Sequence, residues 1–411
     1  VKSKNNIITV LDIGTTKIVC LIAIGNNNND IRIIGASTQL ANGFKAGVVT
    51  NLKQAEYSVA SAIESAEKMA NEQVSKVVVS LCSGQINSSI NSSTVHISNH
   101  PINDRDIGKV ISQALEQYNK SNEDIIHYFP LEYSIDNQNG IKDPSQMFGN
   151  NLTCKIHLIS APSGTILNLA NCLARCQLDT EDFIVAPYAS AVACLTADET
   201  ELGALIIDLG GTTSSFAIYS DNNFIYTDSV PIGGFHITSD IAQCFSINLS
   251  QAERIKILHG NVISTSFDEH KIIEIPASND EWSEQEISSL KVKDLSSVIK
   301  PRTEEIFEMI KHKLDQASFK RNIPKRIILT GGACQLHGLK ELASYVLGGQ
   351  VRIASPKNLI GLPEQYRGPA FSTAIGMLNI INENLVKTDI LAGNEHEGSI
   401  KKIFKKLFKW M

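Results

Sequence analysis

Ala204-Leu205-Ile206-Ile207-Asp208-Leu209-Gly210-Gly211-Thr212-Thr213 begins as an apolar run and ends in a carboxylate, two glycines and two threonines. Four apolar residues in succession read as a buried strand. A second strand, Phe216-Ala217-Ile218-Tyr219, follows. The paired glycines allow a tight turn and a close approach of backbone to a ligand. Successive N–H groups in such a turn form an anion-binding nest, and threonine hydroxyls add donors. A carboxylate at the strand end suits Mg²⁺ held through water, because this ion gives up its hydration shell reluctantly. Taken alone, the same pattern also fits an ordinary hairpin.

The chain carries the pattern twice. Ile7-Ile8-Thr9-Val10-Leu11-Asp12-Ile13-Gly14-Thr15-Thr16-Lys17 is followed by the strand Ile18-Val19-Cys20-Leu21-Ile22. Each copy runs strand, Asp, Gly, Thr-Thr, strand, then a polar turn (26–30 and 220–223) and a third strand. Two such hairpins can face each other and clamp a polyphosphate, with Lys17, which has no counterpart in the second copy, as a point charge. A third piece, Arg326-Ile327-Ile328-Leu329-Thr330-Gly331-Gly332-Ala333, is another apolar strand running into Thr-Gly-Gly. These three pieces, in this order, resemble the actin, sugar-kinase and heat-shock-70 ATPase superfamily. The resemblance implies ATP with Mg²⁺. Phosphates would be bound by Asp12, Gly14, Thr15, Thr16, Lys17, Asp208, Gly210, Gly211, Thr212 and Thr213, the metal by Asp12 and Asp208 through water, and adenosine by Gly331, Gly332 and Ala333.

At 411 residues the chain exceeds what one core usually serves, so two or more lobes are expected. A net charge of −6 argues against a general nucleic-acid binder. The eight cysteines form no C-x-x-C pair; Cys172 and Cys176, one helical turn apart, lack zinc-spaced partners and read as core thiols of a reducing compartment. No apolar run is long enough to span a bilayer. The first residues are polar and lead straight into the Asp12 strand, which is not a signal-peptide pattern.

Along the chain, residues 53–71 read as a helix from Ala55, Val59, Ala62, Ile63, Ala66, Met69 and Ala70, and residues 104–118 as a helix capped by Asn103. His127 and Asp136 have the chemistry of an acid/base pair, but a satisfied histidine and a turn-capping aspartate are the plainer reading. This region carries a second, more specific resemblance. His127, then Pro130-Leu131-Glu132-Tyr133-Ser134-Ile135-Asp136, then Gly140-Ile141-Lys142-Asp143-Pro144, then Met147-Phe148-Gly149 looks like the inserted subdomain, called 1C, of the FtsA family of bacterial cell-division proteins. The match runs from Asp12 to the tail. It implies an α/β, actin-like two-lobed fold with duplicated nucleotide-binding cores, in which 1C replaces actin's subdomain 1B and takes part in filament contacts.

The resemblance divides the chain into 1A (1–82 with 161–201 and 359–385), 1C (83–160), 2A (202–239 with 303–358) and 2B (240–302). It adds Gly234, Glu253 and Lys256 to the adenosine contacts. From spacing alone, Glu253 and Lys256 are a solvated ion pair. Residues 299–302 resemble the part of 2B that binds the acidic C-terminal peptide of the tubulin-like partner FtsZ, with Arg302 as the implied contact; by position alone they are an ordinary helix start with a surface Arg, before a helix over 304–316.

Residues 386–398 lack periodicity and read as a flexible linker. The following Ile400, Lys401, Lys402, Ile403, Phe404, Lys405, Lys406, Leu407, Phe408, Lys409 and Trp410 form a helical pattern with one apolar arc of about 160° and five lysines opposite. This is the signature of a helix lying in a membrane surface, favouring anionic lipid. Each buried apolar side chain contributes about 1.5 kcal/mol or more. Each Lys near anionic lipid adds about 1 kcal/mol. One such helix is a reversible anchor, and a row of them on a homopolymer binds far more tightly.

The resemblance, together with the amphipathic tail, implies an ATP-binding, polymerising protein peripheral to the inner face of the cytoplasmic membrane, anchoring FtsZ and helping recruit later division proteins. A pilus-assembly actin-like ATPase and a small-molecule kinase are the alternatives. An ATPase must orient its attacking water, a role that actin gives to a Gln near the first hinge. Pro187-Tyr188-Ala189-Ser190 offers neither Gln nor Glu there, so slow hydrolysis at most is expected. Thr212 and Ser215 also depart from the superfamily's Asp-x-Gly-Gly-Gly-Thr-x-Asp, and Thr212 is expected to restrict the loop.

Overall fold

Two five-stranded sheets with the same strand order carry the two Asp-Gly motifs. The computed structural model describes residues 6–25, 31–82, 86–118, 122–263, 271–275, 288–317 and 323–392. In chain order the first lobe has β1 (Asn6–Ile13), β2 (Lys17–Gly25), β3 (Ile31–Leu40), the short β4 (Phe44–Lys45) and β5 (Val48–Val49), α1 (Leu52–Ala70) and β6 (Lys76–Leu81). An inserted unit follows with β7 (Asn87–His96), α2 (Asp104–Glu116), β8 (Glu123–Ile135), β9 (Gln138–Ile141) and β10 (Asn151–Pro162). Then come α3 (Ser163–Arg175), β11 (Asp179–Val185), α4 (Ala186–Cys194) and α5 (Ala197–Leu202). The second lobe has β12 (Ala204–Leu209), β13 (Ser214–Ser220), β14 (Asn223–Val230), α6 (Gly234–Phe245), α7 (Leu249–His259), β15 (Ile272–Ile275) and β16 (Ser288–Lys291). It continues with α8 (Val292–Gln316), β17 (Arg326–Thr330), α9 (Leu339–Leu347) and β18 (Gln350–Ile353), before α10 (Ser372–Ala392).

The first sheet runs β3-β2-β1-β6-β11 and the second β14-β13-β12-β17-β18. In each, an antiparallel meander is extended by two parallel strands. The central strands are buried on both faces. Leu11 and Ile13 of β1 enter one cluster and Ile8 and Val10 another; Ala204 and Ile206 of β12 face one cluster and Leu205, Ile207 and Leu209 the other. Continuous apolar runs encode this because both parities must be hydrophobic. The inserted unit has its own sheet, β7-β10-β8-β9, with α2 packed on one face.

Caps delimit the helices as their sequences require. Asn51 accepts from Gln54 N–H at 3.2 Å, and α1 closes on left-handed Asn71. Asn103 and Asp106 form a capping box at α2. Two expectations are corrected. Residues 292–316 form one helix, not a short start followed by a second helix. Pro301 lies inside it, while Leu295, Ile299, Ile306, Ile310 and Leu314 keep a single buried stripe across it. That burial outweighs a proline cost of about 3 kcal/mol. Thr303 donates to the carbonyls of Ile299 and Lys300 beside the proline. Helix α10 continues through residues 386–392, taken from sequence as linker, because extension of a formed helix is cheap and no Gly or Pro intervenes before Gly393. The membrane-helix residues from Ile400 to Trp410 lie outside the described residues. Among the described residues, no helix is long and apolar enough to cross a membrane.

Candidate functional site

A cleft of about 1720 Å³ lies between the two sheets, at the ends of β1 and β12. Both turns after these strands close in the same way. Gly14 N–H donates to Lys17 O and Gly210 N–H to Thr213 O, each at 3.0 Å. A Cβ at either glycine would press on that carbonyl, at 2.8 Å and 2.7 Å. The sequence duplication is therefore a duplication of geometry. The loops also meet across the cleft. Thr212 N–H donates to Thr15 Oγ1 at 2.9 Å, and a Cβ on Gly211 would collide with the Thr16 side chain. Thr212 keeps negative φ, so the expected backbone restriction at this departure costs nothing here. Its hydroxyl is buried without a partner among the described residues.

Asp12 and Asp208 each stand one residue before the end of their strand and line this cleft. Burial pushes Asp12 up to about 6, against a hydrogen bond from Ser80 Oγ at 2.7 Å. The nearby Asp208 carboxylate adds to the rise. Burial also raises Asp208, opposed by bonds from Ser190 Oγ at 2.5 Å and Thr373 Oγ1 at 3.2 Å. Lys17 is lowered to about 8 by burial, although both carboxylates favour its charge. Its ammonium sits 3.6 Å from the centroid of the Phe371 ring. The site thus holds two carboxylates with raised pKa, a desolvated ammonium, an unpartnered hydroxyl and two glycine turns. A polyanion carried with a divalent cation would relieve each of these groups.

Gly331, Gly332, Ala333, Gly234, Glu253 and Lys256 line the same cleft. Gly331 has φ +86°, and a Cβ there would strike the Asp208 carboxylate, so glycine is required. Gly234 packs against Ala333, where a Cβ would stand 2.8 Å from the Ala333 methyl. The solvated Glu253–Lys256 pair is corrected in part. The Lys256 side chain is 12% exposed. Its three N–H bonds go to Glu253 at 2.7 Å, Thr238 Oγ1 at 2.8 Å and Gly234 O at 3.0 Å. Thr238 Oγ1 in turn donates to Glu253. Helical spacing located the pair but not the α6 wall that buries it.

Arg302 stands apart from the cleft. Its fork donates to both Asp240 oxygens, at 2.6 Å and 3.0 Å, and to Glu305 at 2.5 Å. His127 and Asp136 do not form an acid/base pair. His127 Nε2 accepts from Val185 N–H at 3.2 Å, and burial lowers it to about 4. Asp136 accepts from the N–H groups of Asn150 and Asn151 in an exposed turn, each at 2.8 Å, and these bonds lower its pKa. The cysteines are unpaired, and no cluster of metal-ligating side chains occurs among the described residues. Ser80, Ser190, Phe371 and Thr373 were not singled out from sequence. Ser80 closes the strand beside Asp12 and follows the same strand-end logic; the other three come from segments far away in the chain.

Comparisons with known proteins accord with this architecture. A model described as "Cell division protein FtsA" matches residues 205–376, and one described as "SHS2 domain inserted in FTSA" matches residues 83–160. The cell division protein FtsA of Rhizobium meliloti (strain 1021) is 34% identical over 385 residues, covering 91% of this chain and 87% of that protein. The FtsA of Escherichia coli (strain K12) is 31% identical over 408 residues, covering 98% and 96%. The chain belongs to the FtsA family. Solved structures place this FtsA-family chain in the actin-like fold. The PilM-PilN type IV pilus biogenesis complex matches with TM-score 0.64 at 16% identity, covering 91% of this chain and 98% of that one. MreB5 of Spiroplasma citri bound to ADP matches with TM-score 0.52 at 12% identity, covering 93% and 98%. An FtsA family member is a cell-division protein, and the duplicated sheets are its actin-like halves.

Proposed function

We propose that this FtsA-family chain binds ATP with Mg²⁺ between its lobes, polymerises, and anchors FtsZ filaments to the inner face of the cytoplasmic membrane, where it helps recruit later division proteins. The observation that carries the nucleotide reading is the meeting of two glycine turns with the same hydrogen bond beside two carboxylates that line the cleft. Gly14, Thr15, Thr16, Lys17 and Gly210 to Thr213 would hold the phosphates, and Asp12 and Asp208 the metal's water shell. Gly234, Glu253, Lys256 and Gly331 to Ala333 would enclose adenosine. The orphaned Thr212 hydroxyl fits a phosphate oxygen. The fold relative MreB5 binds ADP and AMPPNP in its solved forms, which supports this choice of ligand. Mg²⁺ would neutralise phosphate charge, and the protein groups bind and orient. Residues 187–190 offer no Gln or Glu to orient water, and the Ser190 hydroxyl is committed to Asp208, so turnover would be slow at most.

The membrane reading rests on the amphipathic pattern of residues 399–411. The FtsZ reading rests on Arg302, whose partners Asp240 and Glu305 an acidic peptide would replace. The test is co-sedimentation with anionic liposomes in Mg·ATP, comparing the full chain with one ending at Gly398. Lipid binding that disappears on truncation, and that carries purified FtsZ into the pellet, is expected. Arg302→Glu should leave the chain on the liposomes and FtsZ in the supernatant. If both forms of the chain stay soluble while ATP binds, the tether is wrong.

A further inference from the structure

The two halves share one design, and it breaks at their carboxylates. Ser80 of β6 lies one residue past the Leu11–Val79 pair, beside Asp12, and holds it from within the same sheet. The corresponding neighbour of Asp208 is Thr330 of β17, its register partner. The Thr330 hydroxyl is engaged elsewhere, with Ser372 Oγ at 2.7 Å and the Pro369 carbonyl at 3.4 Å. Asp208 Oδ2 accepts instead from Ser190 of α4 and Thr373 of α10, whose hydroxyls are 2.9 Å from each other. Cys194 of α4 adds a second rung, with its thiol 3.3 Å from Ser372 Oγ and 3.6 Å from Thr330 Oγ1. Ser80, Asp12, Thr330, Ser372, Ser190, Thr373 and Cys194 are buried, and Asp208 is half-buried at the edge of the cleft.

Helices α4 and α10 form the crossing between the lobes. Gly376 packs directly on the Ala189 carbonyl, with no room for a Cβ. Ala189 shares a cluster with Ala374 and Ile375 of α10 and with Val10 and Val19 of the first sheet. Thr330 and Asp208 belong to the second sheet. Two hydroxyl rungs therefore join the second sheet to the interlobe helices, and one of them ends on a carboxylate that faces the cleft.

We infer that Ser190 and Thr373 are positioning residues that make the interlobe hinge respond to what Asp208 holds. The inference rests on the nucleotide reading above. A hydroxyl donating to a carboxylate makes a charge-assisted bond, stronger than one between two hydroxyls. Carboxylate charge drawn from Asp208 toward a hydrated divalent cation weakens its pull on both donors, which are already within reach of each other. Because they stand on different helices, their change of partner alters the α4–α10 crossing and with it the closure of the lobes. Among the described residues, the side chains that donate to Asp12, Ser80 of its own sheet and Cys82 just past β6, make no such connection. The cleft thus has a fixed carboxylate and a sensing one.

The test uses the full chain with Thr373→Val, Thr373→Ser and Ser190→Ala. ATP affinity is measured in EDTA and in Mg²⁺, and hydrogen exchange of α4 and α10 is followed with and without Mg·ATP. The unaltered chain should gain affinity with Mg²⁺ and protect both helices. Thr373→Val and Ser190→Ala should reduce that gain about tenfold with little change in EDTA. They should also lose the added protection, and Thr373→Ser should recover both. Equal losses in EDTA and Mg²⁺, or a full Mg²⁺ gain in Thr373→Val, would overturn the inference while leaving the nucleotide reading intact. If Ser190→Ala does not fold, the two Thr373 variants decide. Failure of the unaltered chain to bind ATP would sink the nucleotide reading and this inference with it.

Discussion

At the residue scale, burial holds the Asp12 carboxyl at about 6 in the folded chain, against an ordinary value of 3.8. A raised acid binds its proton more tightly when folded. Its burial cost is absent below the lower value and complete above the upper one, so stability falls as pH rises from about 4 to about 6. A shift of this size corresponds to about 3 kcal/mol at neutral pH. Asp12→Asn keeps the acceptor for Ser80 and removes the buried charge. Denaturant titration at pH 7 should show the variant more stable than the unaltered chain without ligand. Its melting temperature should no longer rise with Mg·ATP. In the unaltered chain that rise should shrink as pH falls below 6. A variant less stable than the parent would mean that Asp12 is compensated without ligand. The strand-end position of Asp12 was legible in the sequence. Its proton affinity was not, because burial depends on β6 and on the facing Asp208.

At the scale of elements, α1 follows from apolar spacing and α2 from its cap, since both signals are local. The α8 proline and the end of α10 were misjudged for a common reason. Local breakers and polar stretches argue for a stop, while a stripe packed on a distant sheet, or a helix already nucleated, carries the element past it. The α4–α10 crossing gives a sharp prediction. Any Cβ at Gly376 overlaps the Ala189 carbonyl, and the backbone of a helix cannot yield locally. Gly376→Ala should cost about 1–3 kcal/mol in a chemical melt despite alanine's better helix propensity. Unchanged or greater stability would mean that the two helices can part freely at this point.

For the whole molecule, the two-lobed body and the tail act together in the proposed tether. A single anchor is weak and reversible, whereas anchors arrayed on a polymer bind through effective concentration. Pelleting with anionic liposomes should therefore rise steeply with protein concentration. Salt screens the lysine term, because the Debye length falls from about 8 Å at physiological ionic strength to about 3 Å at 1 M. Binding should drop severalfold over that range and on neutral lipid. Binding that is linear in concentration and indifferent to salt would argue against both the array and the basic face.

The sequence by itself determined the duplicated α/β halves, the glycine turns, the two strand-end carboxylates and the inserted unit. Each is written in contiguous residues whose spacing and chemistry are local. Only the tertiary structure decided that Thr15 and Thr212 meet, that Lys256 is buried against α6, that Lys17 rests on Phe371, and that Ser190 and Thr373 hold Asp208. Those contacts join segments up to 354 positions apart, from Lys17 to Phe371. They arise when two sheets and two crossing helices pack together, and no local pattern encodes that packing.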